Sequence, residues 1–270
     1  MNRKILFTDL DGTLLNDKKE ITPENQAAID DALEKSHVVV ISTGRPLASA
    51  RIQAERLGLV KQGGYAITFN GALIHDLYGE KTIYSKCVPQ RLIRPMFAAA
   101  LSRDIHIQTY NDEYVIAKED REILHRYCKI LGVHHMIADD VEKAVGQDPY
   151  KFLMIDENHE KLVDFQKEVL KQYSDCVTSF FSNENYLEIV PIGISKGFAV
   201  EWMCRYLGIP LENSVAAGDA QNDVEMLQTA HIGAVMCNAF PGIAEYGDYV
   251  TQADNNHSGV AEIIRKFILQ

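Results

Sequence analysis

The chain has 270 residues, 46% hydrophobic and 24% charged, the balance of a globular protein; at this size a fold buries roughly 70 to 75% of the unfolded surface, enough for one large domain or two modest ones. Asp and Glu outnumber Lys and Arg by 38 to 27, a net charge of -11, which argues against nucleic acid or an anionic membrane as a main partner.

The first 75 residues alternate strand and helix signals. "KILFTDL" is a short apolar run, and "ITPENQAAIDDALEK" follows with Thr22 as N-cap, Pro23 at the first helical position and apolar residues at helical spacing. "HVVVIS" is continuous and β-branched, "PLASARIQAERLG" is helical with Gly58 as its stop, and "YAITFN" is another short strand. Apolar strands without polar alternation, separated by helices, predict a parallel sheet covered on both faces.

From about residue 84 to residue 189 the texture changes. "DIHIQTY" and "EYVIAK" alternate around Asn111 and Asp112, predicting a half-exposed antiparallel hairpin, and "VTSFF" with "YLEIV" forms a second one across Ser182 to Asn185. "QRLIRPMFAAALSR", "REILHRYCKILG" and "HEKLVDFQKEVLKQY" are amphipathic helices, the last with Leu162, Phe165 and Val169 on one face. After Pro191 the βα alternation returns: "KGFAVEWMCRYLGIP" (helix), "SVAAGD" (strand), "DVEMLQTA" (helix), "IGAVM" (strand) and "GVAEIIRKFIL" (helix). The expected fold is therefore an α/β core with a parallel sheet and helices on both faces, formed by 1-83 and 190-270, interrupted by an inserted α+β domain at 84-189.

Cys87, Cys128, Cys176, Cys204 and Cys237 form no CxxC pair and read as reduced thiols. "MNRKILFTDL" meets acid too soon for a secretory apolar core, and no run is long enough to span a membrane, so the expected compartment is the cytoplasm.

Side chains two apart on an extended segment share a side, so Asp9 and Asp11 are expected to project together from the carboxyl end of a buried strand, where open α/β sheets bind ligands. Converging carboxylates there suit Mg2+. "STGRP" places Ser42, Thr43 and Gly44 after the second strand, offering hydroxyls and amides to a phosphate; "ISKG" puts Lys196 at a helix start, with Gly197 keeping the backbone close. "GDAQND" adds Asp219, Asn222 and Asp223 after a small-residue strand, more carboxylate than one helix cap needs.

In this order the motifs "DLDGTLL", "STGRP", "ISKG" and "GDAQNDVEML" resemble those of haloacid dehalogenase superfamily phosphatases of the Cof-type subfamily, over essentially the whole chain. The resemblance implies a Rossmann-like core with an inserted cap, and a Mg2+-dependent phosphatase acting on a small phosphorylated metabolite such as a sugar phosphate through an aspartyl-phosphate. It implies Asp9 as nucleophile and Asp11 as general acid and base, a role suited to a carboxyl whose pKa its neighbour has raised. Mg2+ would be held by the Asp9 carboxylate, the Asp11 backbone carbonyl and Asp219, with Asp223 close by or acting through water. The Leu10 amide, Thr43, Gly44, Lys196 and Asn222 would cradle phosphate, and Thr13 would steady the turn that aims Asp11. Two other functions fit the same residue types: a phosphomutase, and a phospho-accepting signalling domain, which needs neither the second acidic motif nor an inserted domain.

Further positions are read from the residues alone. Asn70 and Gly71 are expected to border the substrate, Arg45 either to reach the cap or substrate or to form a surface salt bridge, His134 and His135 to lie on a surface loop, Trp202 and Met203 to be core, and Glu188 to be an exposed strand residue, the alternative being that it borders the substrate. No oligomeric state is read from the sequence.

Overall fold

A computed structural model describes residues 3–61 and 64–270. Its elements, in chain order, begin with β1 (Ile5–Thr8), α1 (Pro23–Glu34), β2 (Val38–Ser42), α2 (Leu47–Arg56), β3 (Tyr65–Thr68), β4 (Leu73–Asp76) and β5 (Lys81–Ser85). They continue with α3 (Ile93–Leu101), β6 (His106–Tyr110), β7 (Tyr114–Ala117), α4 (Glu122–Leu131), β8 (His134–Ile137), α5 (Val141–Val145), β9 (Phe152–Ile155), α6 (His159–Tyr173), β10 (Val177–Asn183) and β11 (Tyr186–Pro191). The last are α7 (Lys196–Leu207), β12 (Ser214–Gly218), α8 (Val224–Thr229), β13 (Ile232–Val235), β14 (Tyr249–Val250) and α9 (Gly259–Ile263), which runs on as a π-helical turn, Ile264–Ile268.

Among the described residues an eight-stranded sheet has the order β14-β13-β12-β1-β2-β3-β4-β5. From β14 to β3 neighbours are parallel, as the uninterrupted apolar runs predict. Alternate residues of β1 feed two cores: Leu6 packs with Ile29, Val39 and Ile264 on one face, and Ile5 and Phe7 with Val200, Met203 and Leu227 on the other. Each such side chain contributes about 1.5 to 3 kcal/mol by leaving water. The parallel core is thus found as expected, and beyond β3 the sheet is extended by two antiparallel strands, β4 and β5, the latter running across residues 83 and 84. The Thr22 cap is found as expected, its hydroxyl accepting from the Asn25 N–H.

A second, six-stranded sheet has the order β10-β11-β9-β6-β7-β8. One face carries Ile107, Phe152 and Met154 against Phe97 of α3 and Phe165 of α6. The other carries Tyr110, Leu153 and Val190 and packs on Phe69, Ala72 and Leu73 of the first sheet's region. The β6–β7 hairpin forms as expected, but β6 is buried at every position rather than half exposed. Its period-2 alternation is real; the polar face of His106, Gln108 and Tyr110 simply meets protein instead of solvent. Gln108 donates to the Tyr110 hydroxyl at 2.9 Å, which lies 2.8 Å from the Tyr127 hydroxyl.

His134 and His135 stand in strand β8, parallel to β7, rather than in a loop. His135 lies edge-on to His125, which is bonded to Asp120 at 2.5 Å on the surface. Met203 is core as expected, whereas Trp202 is only partly buried, stacked on Tyr206.

Candidate active site

Parallel pairing of β1 with β12, in register Thr8 with Ala217, brings the two acidic motifs together at the carboxyl ends of these strands. Gly12 has φ +80, and a Cβ on it would fall 2.4 Å from Asp219 Oδ2, so only glycine lets this turn pass so close to the second motif. Leu10 between the aspartates turns its side chain into the core.

Ser195 caps α7 by accepting from the Phe198 N–H at 3.1 Å, which sets Lys196 as the first helical residue. The Lys196 ammonium is fully buried and donates to Asp9 Oδ1 and to Asp223 Oδ1, both at 2.6 Å. Asp223 Oδ2 accepts from the backbone N–H groups of Asp219 and Ala220 at 3.0 and 3.1 Å. Both oxygens of Asp223 are therefore bonded to protein, whereas among the described residues Asp9 and Asp219 each have a side-chain partner on one oxygen only. Thr13 steadies Asp219 rather than the turn at Asp11: its hydroxyl donates to Asp219 Oδ1 at 2.6 Å.

Asp9, Asp219 and Asp223 each offer an oxygen within 4.8 Å of the others, three carboxylates against the single Lys196 ammonium. Burial pushes the Asp9 carboxyl up to about 7; Lys196 opposes this, while Asp223 and Asp11 add to it. Burial, then the charges of Asp223 and Asp9, push Asp219 up to about 8. Burial alone would push Lys196 down, but Asp223 and Asp9 outweigh it and hold the ammonium above its ordinary range. Hard oxygen donors with excess negative charge fit a divalent cation such as Mg2+.

Asp11 departs from expectation. Burial would raise its pKa, but Arg45 and Lys19 outweigh burial and hold the carboxyl down at about 2. Arg45 grips it with Nε on Oδ2 and NH2 on Oδ1, both at 2.6 Å, and Lys19 adds a contact at 2.7 Å. A neighbouring carboxylate does raise a pKa, but two cations in contact decide the sign here. Arg45 lines the cavity with its guanidinium held on Asp11.

A cavity of about 600 Å³ opens over these groups, with Asp9, Asp11, Thr43, Gly44, Asp219 and Asn222 on one side and Lys151, Tyr127, Ser182 and Glu188 of the second sheet's region on the other. Thr43, not Ser42, lines it; Ser42 is fully buried. Asn70 and Gly71 do not line it as expected. Asn70 is buried and accepts from Asn222 Nδ2 at 3.1 Å, and Gly71, with φ +104, lies so close to Ser195 that a Cβ would fall 2.4 Å from its carbonyl oxygen. Glu188 lines the cavity and is buried rather than exposed: at 4% exposure it accepts from Lys151 Nζ at 2.6 Å and from the Ser182 hydroxyl at 3.0 Å. The sequence gives no sign of Lys151's role, since a lysine before "FLMI" carries no signal of its partner 37 residues on.

The family model for haloacid dehalogenase-like hydrolases matches residues 6–264. The 5-amino-6-(5-phospho-D-ribitylamino)uracil phosphatase YcsE of Bacillus subtilis is 31% identical over 270 residues, covering 98% of this chain and 96% of its own. A haloacid dehalogenase-like hydrolase from Bacteroides thetaiotaomicron superposes with a TM-score of 0.90 at 26% identity, over 98% of this chain and 99% of that one. A subclass IIB sugar phosphatase gives a TM-score of 0.83 at 25% identity, over 98% of this chain and all of its own.

Proposed function

The chain belongs to the haloacid dehalogenase-like hydrolases and is a phosphatase, and we propose that it hydrolyses a small phosphorylated metabolite, a sugar phosphate first among them, with Mg2+ and an aspartyl-phosphate intermediate. The observation that carries this reading is Lys196, fully buried at the carboxyl ends of the parallel strands and held 2.6 Å from both Asp9 and Asp223. A lysine fixed there meets the charge of a phosphoryl group. The sugar-phosphate preference is supported by the name of the sugar phosphatase that superposes on the chain.

Asp9, Asp219 and the Asp11 carbonyl are the groups to hold Mg2+, with Asp223 behind them. When bound, the cation supplies positive charge to the phosphoryl oxygens and relieves the excess of carboxylate. Asp9 attacks phosphorus as the ester P–O bond breaks, and Asp11 gives its proton to the departing alcohol oxygen. Asp11 then takes a proton from water as the water oxygen attacks phosphorus; the bond to Asp9 breaks, releasing orthophosphate and restoring the free carboxylate. Thr43, the Leu10 amide, Lys196 and Asn222 hold the phosphoryl oxygens meanwhile. Since Arg45 and Lys19 keep Asp11 ionised at rest, substrate entry has to draw its carboxyl away from them before it carries a proton. We take the segment 84–189, with Tyr127, Lys151 and Glu188 facing the site, as the cap that excludes water and selects the leaving group.

The test is phosphate release by the purified protein from sugar phosphates, nucleotides, pyridoxal phosphate and flavin mononucleotide, with and without Mg2+. Metal-dependent release from sugar phosphates above the rest is expected; release from none would overturn the reading.

A further inference from the structure

Lys151 precedes β9 and is 1% exposed, an expensive place for an ammonium unless its partners are fixed. Its Nζ donates to Glu188 Oε2 at 2.6 Å and, across from one sheet's region to the other, to the carbonyl oxygen of Gly44 at 2.8 Å. Its own carbonyl accepts from the Thr109 hydroxyl at 2.9 Å, and the ammonium sits 5.3 Å from the centre of the Tyr110 ring. Glu188 is held in turn by the Ser182 hydroxyl at 3.0 Å, so the charge on Lys151 is met and its reach is set. On the other side, Gly44 lies between Thr43, whose hydroxyl accepts from the Arg45 N–H at 3.2 Å, and Arg45, which grips Asp11. The loop that would bind phosphate is thus fastened at its middle carbonyl by a buried cation from the opposite side of the cavity.

We propose that Lys151 is a positioning residue: it holds the Gly44 carbonyl so that Thr43 is set for the phosphoryl group and Arg45 for Asp11 only while the two sides of the cavity are closed on each other. The inference rests on the phosphatase reading for what the loop binds, but not for the fastening itself. Separation of the two sides would hydrate Lys151 and Glu188 and release the loop, so closure and phosphate affinity would rise and fall together.

The experiment uses the double variant Lys151→Met/Glu188→Leu in the full chain. Exchanging a buried ion pair for apolar side chains of similar volume is commonly neutral or stabilising, so the fold survives while the bond to Gly44 is lost. Amide hydrogen exchange over residues 43–49 should quicken about tenfold, and the inhibition constant of orthophosphate should rise about tenfold, while Tm stays level. The single variant Lys151→Arg, which keeps a donor, should recover most of both. Exchange over 43–49 equal to wild type would overturn the proposal. Wild-type protein that releases no phosphate would overturn the phosphatase reading instead, and the exchange measurement would still decide the role of Lys151.

Discussion

Arg45 and Asp11, 34 residues apart in sequence, form a two-pronged ion pair in which Nε meets Oδ2 and NH2 meets Oδ1, each at 2.6 Å. The guanidinium is 5% exposed and the carboxylate 39% exposed, so solvent screens one side of the pair. Its effect on Asp11 has a definite sign. A carboxyl held at about 2, below its ordinary 3.8, contributes stability above that ordinary value and loses it as pH falls through 2.

Arg45→Gln should therefore lower the unfolding free energy at pH 7 by about 1 kcal/mol, after discounting for the exposed carboxylate. The gap from wild type should close as pH approaches 2. Urea melts at pH 7, 4 and 2.5 read it, and a gap that widens on acidification would contradict the pairing.

Asp9 and Asp219 have the opposite sign. Their carboxyls, raised to about 7 and about 8, bind more protons folded than unfolded, so without metal their contribution is full below pH 4 and declines as pH rises through 7 and 8. A cation that takes the place of those protons stabilises more where the protons have left. Thermal melts with and without saturating Mg2+ should give a larger rise in Tm at pH 8.5 than at pH 5.5, and an equal rise would count against these residues as the metal's ligands.

Asp9→Asn should cut phosphate release at least about 10³-fold, the scale on which loss of a nucleophile is felt. Turnover near wild type would remove Asp9 from its role.

Asp223 and Asp219 separate by stability. Asp223→Asn leaves Lys196 buried with only Asp9 for charge and should cost about 3 kcal/mol or more. Asp219→Asn keeps an acceptor for Thr13 and relieves like-charge crowding, so metal-free its stability should stay within about 1 kcal/mol of wild type. Equal losses in the two variants would mean that Asp223 is not the anchor of the lysine.

The residues legible in the sequence are those set by short local rules. Asp9, Thr43, Lys196 and Asp219 each follow or open an element whose apolar pattern marks its end, and parallel pairing then gathers strand ends without further information. What escaped is long-range. Period-2 alternation in "DIHIQTY" fixes which residues share a face but not whether that face meets water or protein, and the same limit hides the burial of Glu188. The sign of the shift at Asp11 depends on Arg45 and Lys19 meeting one carboxylate, a convergence that no spacing announces. Asn70, expected at the substrate, holds Asn222 instead because Phe69 and Asn70 both take positive φ and turn the loop inward.

Lys196 also has a consequence for chemical labelling. Amine-reactive reagents need an accessible, unprotonated lone pair, and this side chain offers neither, being 0% exposed and locked as an ammonium by two carboxylates. In a lysine-footprinting experiment it should stay unlabelled while exposed lysines such as Lys18 and Lys167 react. Label appearing at position 196 would then mark the fraction of molecules whose centre has come apart, a built-in gauge of integrity that needs no substrate.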